Sequence, residues 1–181
     1  MTWYANVSYI VSEKGIANGA VFSGTLIGIN NLAMMIGGAT CGRLSRYVKQ
    51  YSIITAIAFV IAGCLLTWVT ANKFLLILGS ILVGYGDSFA YSSSFAIAGY
   101  LVPGKANGLA VGIMNAVVQG GCFFGPYIPL MISSAMGSGG VIMTQMIIIV
   151  VIAVVNATIY SVVLRTRACK PLAAGYAAAN K

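Results

Sequence analysis

The stretch FLLILGSILVGYGDSFAYSSSFAIAGY, residues 74–100, decides the reading of this chain. It is apolar over a length that a helix needs to cross a bilayer, about 20 residues. Near its centre stands Asp87, which with Glu13 makes up the acidic residues of the whole sequence. An ionisable side chain at mid-bilayer costs at least about 2.5 kcal/mol, so such groups mark pathways, relays or paired sites. At helical spacing Ser80, Gly84, Asp87, Tyr91 and Ser94 share one face, and Ile81, Leu82, Tyr85, Phe89 and Phe95 lie opposite. The expected role is one wall of a polar cavity, with the bulky face turned to lipid or other helices. The plainer alternative is an acid paired structurally with a neighbouring helix.

Composition agrees with a membrane setting. The 181 residues are 60% hydrophobic and 7% charged, with a mean hydropathy of +0.96. Soluble domains carry about 25% charged residues, so the expectation is an all-α integral membrane protein. The net charge of +8 does not point to nucleic acid, because the basic residues gather between apolar runs. There is no histidine, which removes the commonest metal ligand and catalytic base. Cys41, Cys64, Cys122 and Cys169 are scattered without metal-ligand or redox spacing, so no metal and no cofactor are expected. With a single buried acid, the chain also lacks the paired groups of acid–base or metal-assisted hydrolysis, and an enzyme is not expected.

Outward from Asp87, the pattern gives a bundle of five full transmembrane helices plus one partial N-terminal helix. Residues 1–11 would span only about 16 Å as a helix and read as the end of a longer one. Full spans are expected at 19–41, 52–70, 74–100, 106–134 and 141–164, with residues 1–165 forming the bundle and 166–181 a short tail. Pro103 and Gly104 end the Asp87 helix, and Pro126 and Pro129 should kink or break the final third of the next span. Polar groups recur near mid-depth in three spans: Asn30 and Asn31, then Asp87 and Tyr91, then Asn115 and Gln119. One shared substrate or proton cavity is the expectation, and interhelical hydrogen bonding is its alternative. The 52–70 span is almost wholly apolar and is expected at the periphery. Gly24/Gly28, Gly38/Gly42, Gly108/Gly112 and Gly121/Gly125 have the GxxxG spacing that lets backbones approach closely.

Two motifs then suggest a family. Gly42, Arg43, Leu44, Arg46 and Lys49 sit in GRLSRYVKQ, a basic segment expected as a loop over residues 42–50. It resembles the cytoplasmic loop motif G-x-L-a-D-R-x-G-R-R of major facilitator superfamily transporters, without the aspartate and with Val48 in place of a glycine. A second stretch, Pro103, Ala106, Gly108, Gly112, Gln119, Gly121, Gly125 and Pro126, is similar to a loop-and-helix pattern of that family. The order of spans, opening on a partial helix with Tyr4, Asn6 and Tyr9, resembles helices seven to twelve of the fold, the seventh truncated. The resemblance implies the C-terminal half of a secondary active transporter that moves a small solute by alternating access, expected to be proton-coupled, with Asp87 binding a proton or a cationic group. Its helices eight, ten and eleven would line the cavity, and its partners would be the solute, protons, the lipid bilayer and the missing N-terminal half. The competing expectation is a small oligomeric membrane channel or structural subunit that completes its bundle by self-association.

Orientation follows from charge. Alternate loops place Arg43, Arg46, Lys49, Lys105, Arg165, Arg167, Lys170 and Lys181 on one side and Lys14 and Lys73 on the other. The positive-inside rule puts the first group, and the C-terminal tail, in the cytoplasm of a cell whose plasma (inner) membrane holds the protein. A cysteine engineered at Gly137 should therefore react with an impermeant maleimide added to intact cells, and Cys169 should not. Labelling of the tail from outside would invert the topology.

Overall fold

The computed structural model describes residues 2–16, 18–48, 51–101, 106–125, 127–136 and 141–165. Every regular element among them is helical: α1 (Thr2–Glu13), α2 (Gly19–Val48), α3 (Ser52–Val69), α4 (Lys73–Leu101), α5 (Asn107–Phe124), α6 (Tyr127–Met136) and α7 (Val141–Arg165). Four of them, α2 to α5, are long and apolar enough to cross a membrane. In α7 the apolar stretch Ile147–Val162 is shorter by that measure, within a helix of 25 residues. An all-helical architecture is what hydrocarbon demands, since a helix satisfies its own backbone donors and acceptors.

The helix ends show how local chemistry sets the boundaries. α1 stops in a Schellman arrangement: Gly15 takes φ 63°, its N–H donates to Ser12 O at 3.0 Å, and the Ile16 N–H donates to Val11 O at 3.4 Å. α4 starts at an Asn72 cap, whose Oδ1 accepts from the Phe74 N–H at 3.0 Å. Between them, the Lys14 ammonium donates to Trp68 O at 3.1 Å and Thr70 O at 2.6 Å. A cation is thus held against the carbonyl end of α3, where the helix dipole is negative. Burial lowers the pKa of Lys14, and the neighbouring Glu13 charge opposes that shift.

α4 is the hub. It packs along α3 on one side and along α2 on another, while α5 touches it far less. Val7, Ile10 and Val11 of α1, Leu26 of α2, Cys64 of α3, and Leu76 and Val83 of α4 form the main buried cluster. Cys41, Ala56 and Phe89 form a second one toward the other end. α3 is therefore not simply lipid-facing: its Ala56, Gly63, Cys64 and Thr67 are buried, and Leu65, Trp68 and Val69 are exposed.

Two expectations need correction. The basic segment is not a loop over 42–50, because α2 runs unbroken to Val48 and carries Gly42, Arg43, Leu44 and Arg46 on helix. Hydropathy marks where a helix leaves hydrocarbon, but the hydrogen-bond ladder continues into water when no proline interrupts it. Lys49 lies outside the described residues, as do Val102 to Lys105, Pro126, residues 137–140 and residues 166–181.

The 106–134 span breaks in its final third, as expected next to Pro126, and forms two helices. Gly125 keeps helical angles and donates to Gly121 O at 2.8 Å, the next residue is proline, and α6 opens at Tyr127.

The second correction concerns glycine. A Cβ at Gly24, Gly28, Gly42, Gly108, Gly112 or Gly121 would meet nothing within 4 Å, so these GxxxG positions are not close-packing seams within the bundle. Close approach occurs elsewhere. A Cβ on Gly63 would lie 2.7 Å from Gly79 O, and one on Gly79 would lie 2.9 Å from Gly63 O. One on Gly84 would lie 2.5 Å from Asn30 O, and one on Gly86 would lie 2.9 Å from Ala56 O.

Gly84→Ala should consequently lower the thermal midpoint of the purified protein, by the about 1–3 kcal/mol typical of overpacking. Gly112→Ala, whose added methyl meets open space, should leave it unchanged or raise it through helix propensity. Equal midpoints for the two variants would contradict the packing described.

Candidate functional site

A cavity of about 550 Å³ opens between α2, α4 and α5. α4 contributes Asp87, Ser88, Ala90, Tyr91, Ser94 and Phe95, all from its second half. α5 contributes the stretch around Met114 and Gln119, and α2 supplies Met34. Asp87 is half-buried, so its carboxyl is neither sealed in the core nor fully open. The Tyr91 hydroxyl donates to Asn115 Oδ1, a polar link from α4 to α5. Tyr91 and Phe95, one turn apart, meet edge to face with ring centres 4.6 Å apart at 74°.

The residues singled out from sequence divide into two groups. Asp87, Tyr91 and Gln119 line the cavity, and Asn115 reaches Tyr91 beside it. Asn31 is exposed and is not among the lining residues.

Asn30 is in a different place altogether. It is buried between α2 and α4, where its Nδ2 donates to Ser80 O at 3.0 Å while Ser80 Oγ donates to Leu26 O at 2.8 Å. Two side chains thus exchange hydrogen bonds with each other's helices, which is interhelical adhesion rather than cavity lining. The stripe from Ser80 to Ser94 changes role along its length. Its first part, with Ser80 and Gly84, is packed against α2, and its second part, from Asp87, faces the cavity.

Other lining residues are not on that stripe. Ser88 and Phe95 lie roughly 80–100° around the helix from Asp87, at 100° per residue. The cavity covers a wider arc of α4 than a single stripe, and Phe95 was expected on the opposite face. The i, i+4 spacing of Tyr91 and Phe95 is the signal that places both on one side. Met34 carries a weaker signal, one turn beyond Asn30 on an apolar helix.

On the back of α4, the Tyr85 hydroxyl shares a 2.9 Å hydrogen bond with Thr40 Oγ1, and its ring meets Phe59 edge to face at 5.5 Å. Phe89 is fully buried between α2 and α3. On α7, Asn156 satisfies its amide by donating to Ile152 O at 2.8 Å on its own helix. Among the described residues no group of histidine, cysteine or carboxylate side chains is arranged to hold a metal.

Since Asn30 sits in the α2–α4 seam, Asn30→Ala should lower thermal stability by about 1 kcal/mol or more, for a lost hydrogen bond and the space left behind. It should leave solute affinity within about twofold of the parent, in line with independent distant sites. A large affinity loss at unchanged stability would instead put Asn30 in the cavity.

A sequence profile described as Major Facilitator Superfamily matches residues 1–176. No curated protein and no solved structure gives a match.

Proposed function

We propose, from the premise that this chain belongs to the Major Facilitator Superfamily of membrane transporters, that it forms one half of a proton-coupled secondary transporter for a small solute. The observation that carries this reading is the cavity: about 550 Å³, bounded by three membrane-spanning helices, with one carboxylate in its wall. Pockets of about 300–1,000 Å³ suit organic molecules rather than bare ions. In two-halved transporters the site lies near the midplane between the halves, and one half rocks against the other around it.

In this reading the chain is the C-terminal half, α2, α4 and α5 are its cavity helices, and α3 and α7 stand behind them. Asp87 takes up and releases the proton, while Tyr91, Asn115 and Gln119 supply hydrogen bonds to the solute. The order of the spans and the basic segment at Gly42 to Lys49 support the assignment of the half. The exposed faces of α2 and α5, including Leu32, Met35, Ile36, Leu109 and Val117, leave room for a second half. The basic residues favour a C-terminal tail in the cytoplasm, of a protein that we place in the plasma (inner) membrane.

Asp87→Asn keeps the side-chain volume and removes the titrating group. In the assembly that contains this chain, reconstituted in liposomes, accumulation driven by a pH gradient should collapse to near background. Counterflow, which exchanges solute without net driving force, should survive. Asp87→Glu should keep partial coupling. Full pH-driven uptake by Asp87→Asn, normalised to folded protein, would remove Asp87 from the mechanism.

A further inference from the structure

We infer that the cavity holds an aromatic ring of its solute, in a subsite built by Tyr91 and Phe95 of α4 with Met34 of α2 and Met114 of α5. The inference rests on the transport reading of the same cavity and deepens it by naming the solute's chemical class.

Tyr91 and Phe95 stand about one turn apart on α4, and their rings meet at 74° with centres 4.6 Å apart. That is the edge-to-face arrangement that aromatic quadrupoles prefer. The Tyr91 ring is also tethered at its far end, because its hydroxyl donates to Asn115 Oδ1 on α5. Both rings line the cavity, and Tyr91 keeps 40% of its surface exposed. A third ring entering beside a perpendicular pair finds either a face or an edge to meet. That gives an aromatic solute an attraction that a saturated ring of the same size lacks.

The flanking helices add sulfur. Met34 on α2 and Met114 on α5 are half-buried and line the cavity, whereas the adjacent Met35 is exposed and is not among the lining residues. A thioether is polarizable and favours the edge of an aromatic ring at about 5 Å. A ring seated against Tyr91 and Phe95 lies between two helices that each offer one. Asp87 and Ser88 line the cavity within about one turn of Tyr91, close enough to meet a polar substituent on that ring. The solute class is thus an aromatic ring system with a polar substituent. The volume of about 550 Å³ lies in the range of pockets for organic molecules and admits two fused rings. These contacts come from this chain, so they act whatever a second half adds on the facing side.

The test compares 2-naphthamide with its decahydro analogue, which carry the same amide on a flat and on a saturated two-ring body. Binding to the native assembly in nanodiscs is measured by saturation-transfer NMR titration, with empty nanodiscs subtracted. Naphthamide should bind saturably and at least about threefold more tightly than the decahydro compound, the scale of one aromatic contact. A pocket that is merely apolar would favour the saturated compound, whose apolar surface is larger. Phe95→Leu keeps an apolar side chain and removes the ring, so it should bring the two affinities together. Met114→Leu should narrow the difference by a smaller factor. The comparison on the parent protein stands even if Phe95→Leu does not fold. Equal binding of the two amides by the parent, saturable binding of neither, or an undiminished preference in folded Phe95→Leu overturns the subsite. Any of these results together with Asp87-dependent, pH-driven uptake of a solute leaves the transport reading in place. A Phe95-dependent preference for naphthamide without exchange of any solute supports the subsite and removes the transport reading instead.

Discussion

The structure depends on the contact of the α4 backbone with those of α2 and α3. In hydrocarbon, lipid tails are as apolar as leucine, so burying apolar side chains gives helices little reason to associate. What remains is dispersion between closely approaching surfaces and hydrogen bonds across the seam. Gly63 and Gly79 place α3 against α4 with backbone touching backbone, and Gly86 repeats the approach one to two turns on. Gly84 does the same against α2, at the level where Asn30 Nδ2 donates to Ser80 O and Ser80 Oγ donates to Leu26 O. The fold of the central helices is the sum of these few points. Remove the close approach and the side-chain hydrogen bonds lose their geometry as well.

Asp87 is placed by that clamp. With Gly84 and Gly86 fixed against α2 and α3, the rotation of α4 is set, and the next stretch of helix turns Asp87, Tyr91 and Ser94 toward α5. The carboxyl owes its position in the cavity wall to packing one turn earlier. The polar end of the cavity and the tight seam are therefore parts of one helix face. Ser80 and Gly84 belong to the seam and Asp87 begins the wall, while Gly37 carries the α2 contact on to Tyr85 and Ser88. Phe89, buried on the α3 side, and the Tyr85 hydroxyl on Thr40 hold the back of the same turns.

Much of this was legible in sequence because membrane helices announce themselves by length and hydropathy. The order of the helices, the interruption next to Pro126 and the common face of Asp87 and Tyr91 follow from local rules of proline and periodicity. What was not legible depends on what stands opposite. A GxxxG spacing says that two glycines share a face, but not that another helix lies there. Gly24, Gly28, Gly108 and Gly112 face open space, while Gly63 and Gly79 match each other across two helices. Asn30 and Asn31 are adjacent and chemically identical, and only the position of Ser80 makes one a buried bridge and leaves the other exposed. The basic end of α2 misled for another reason. Charge reveals where the membrane stops, and the helix does not have to stop there.

Cohesion in the bundle is graded, and the grading bears on how a cavity can open. α4 is bound to α2 and α3 by glycine seams and reciprocal hydrogen bonds. α5 buries none of its described side chains and meets α4 mainly through the region of Tyr91 and Asn115. Its glycines stand in open space, and its helix ladder is interrupted beside Pro126. The cavity exists because α5 stands off from α4 by the width of the Tyr91, Phe95 and Met114 side chains instead of closing on a glycine seam. A displacement of α5 thus breaks one polar link and a small apolar contact. A displacement of α2 or α3 from α4 would strip backbone from backbone and orphan the Asn30 amide and the Ser80 hydroxyl. Buried polar groups left unpaired cost about 1–3 kcal/mol each. The boundary that Asp87 faces is far weaker than the seams of α4 with α2 and α3. The Asp87 carboxyl thus sits at a loosely packed boundary, next to the tight packing that positions it.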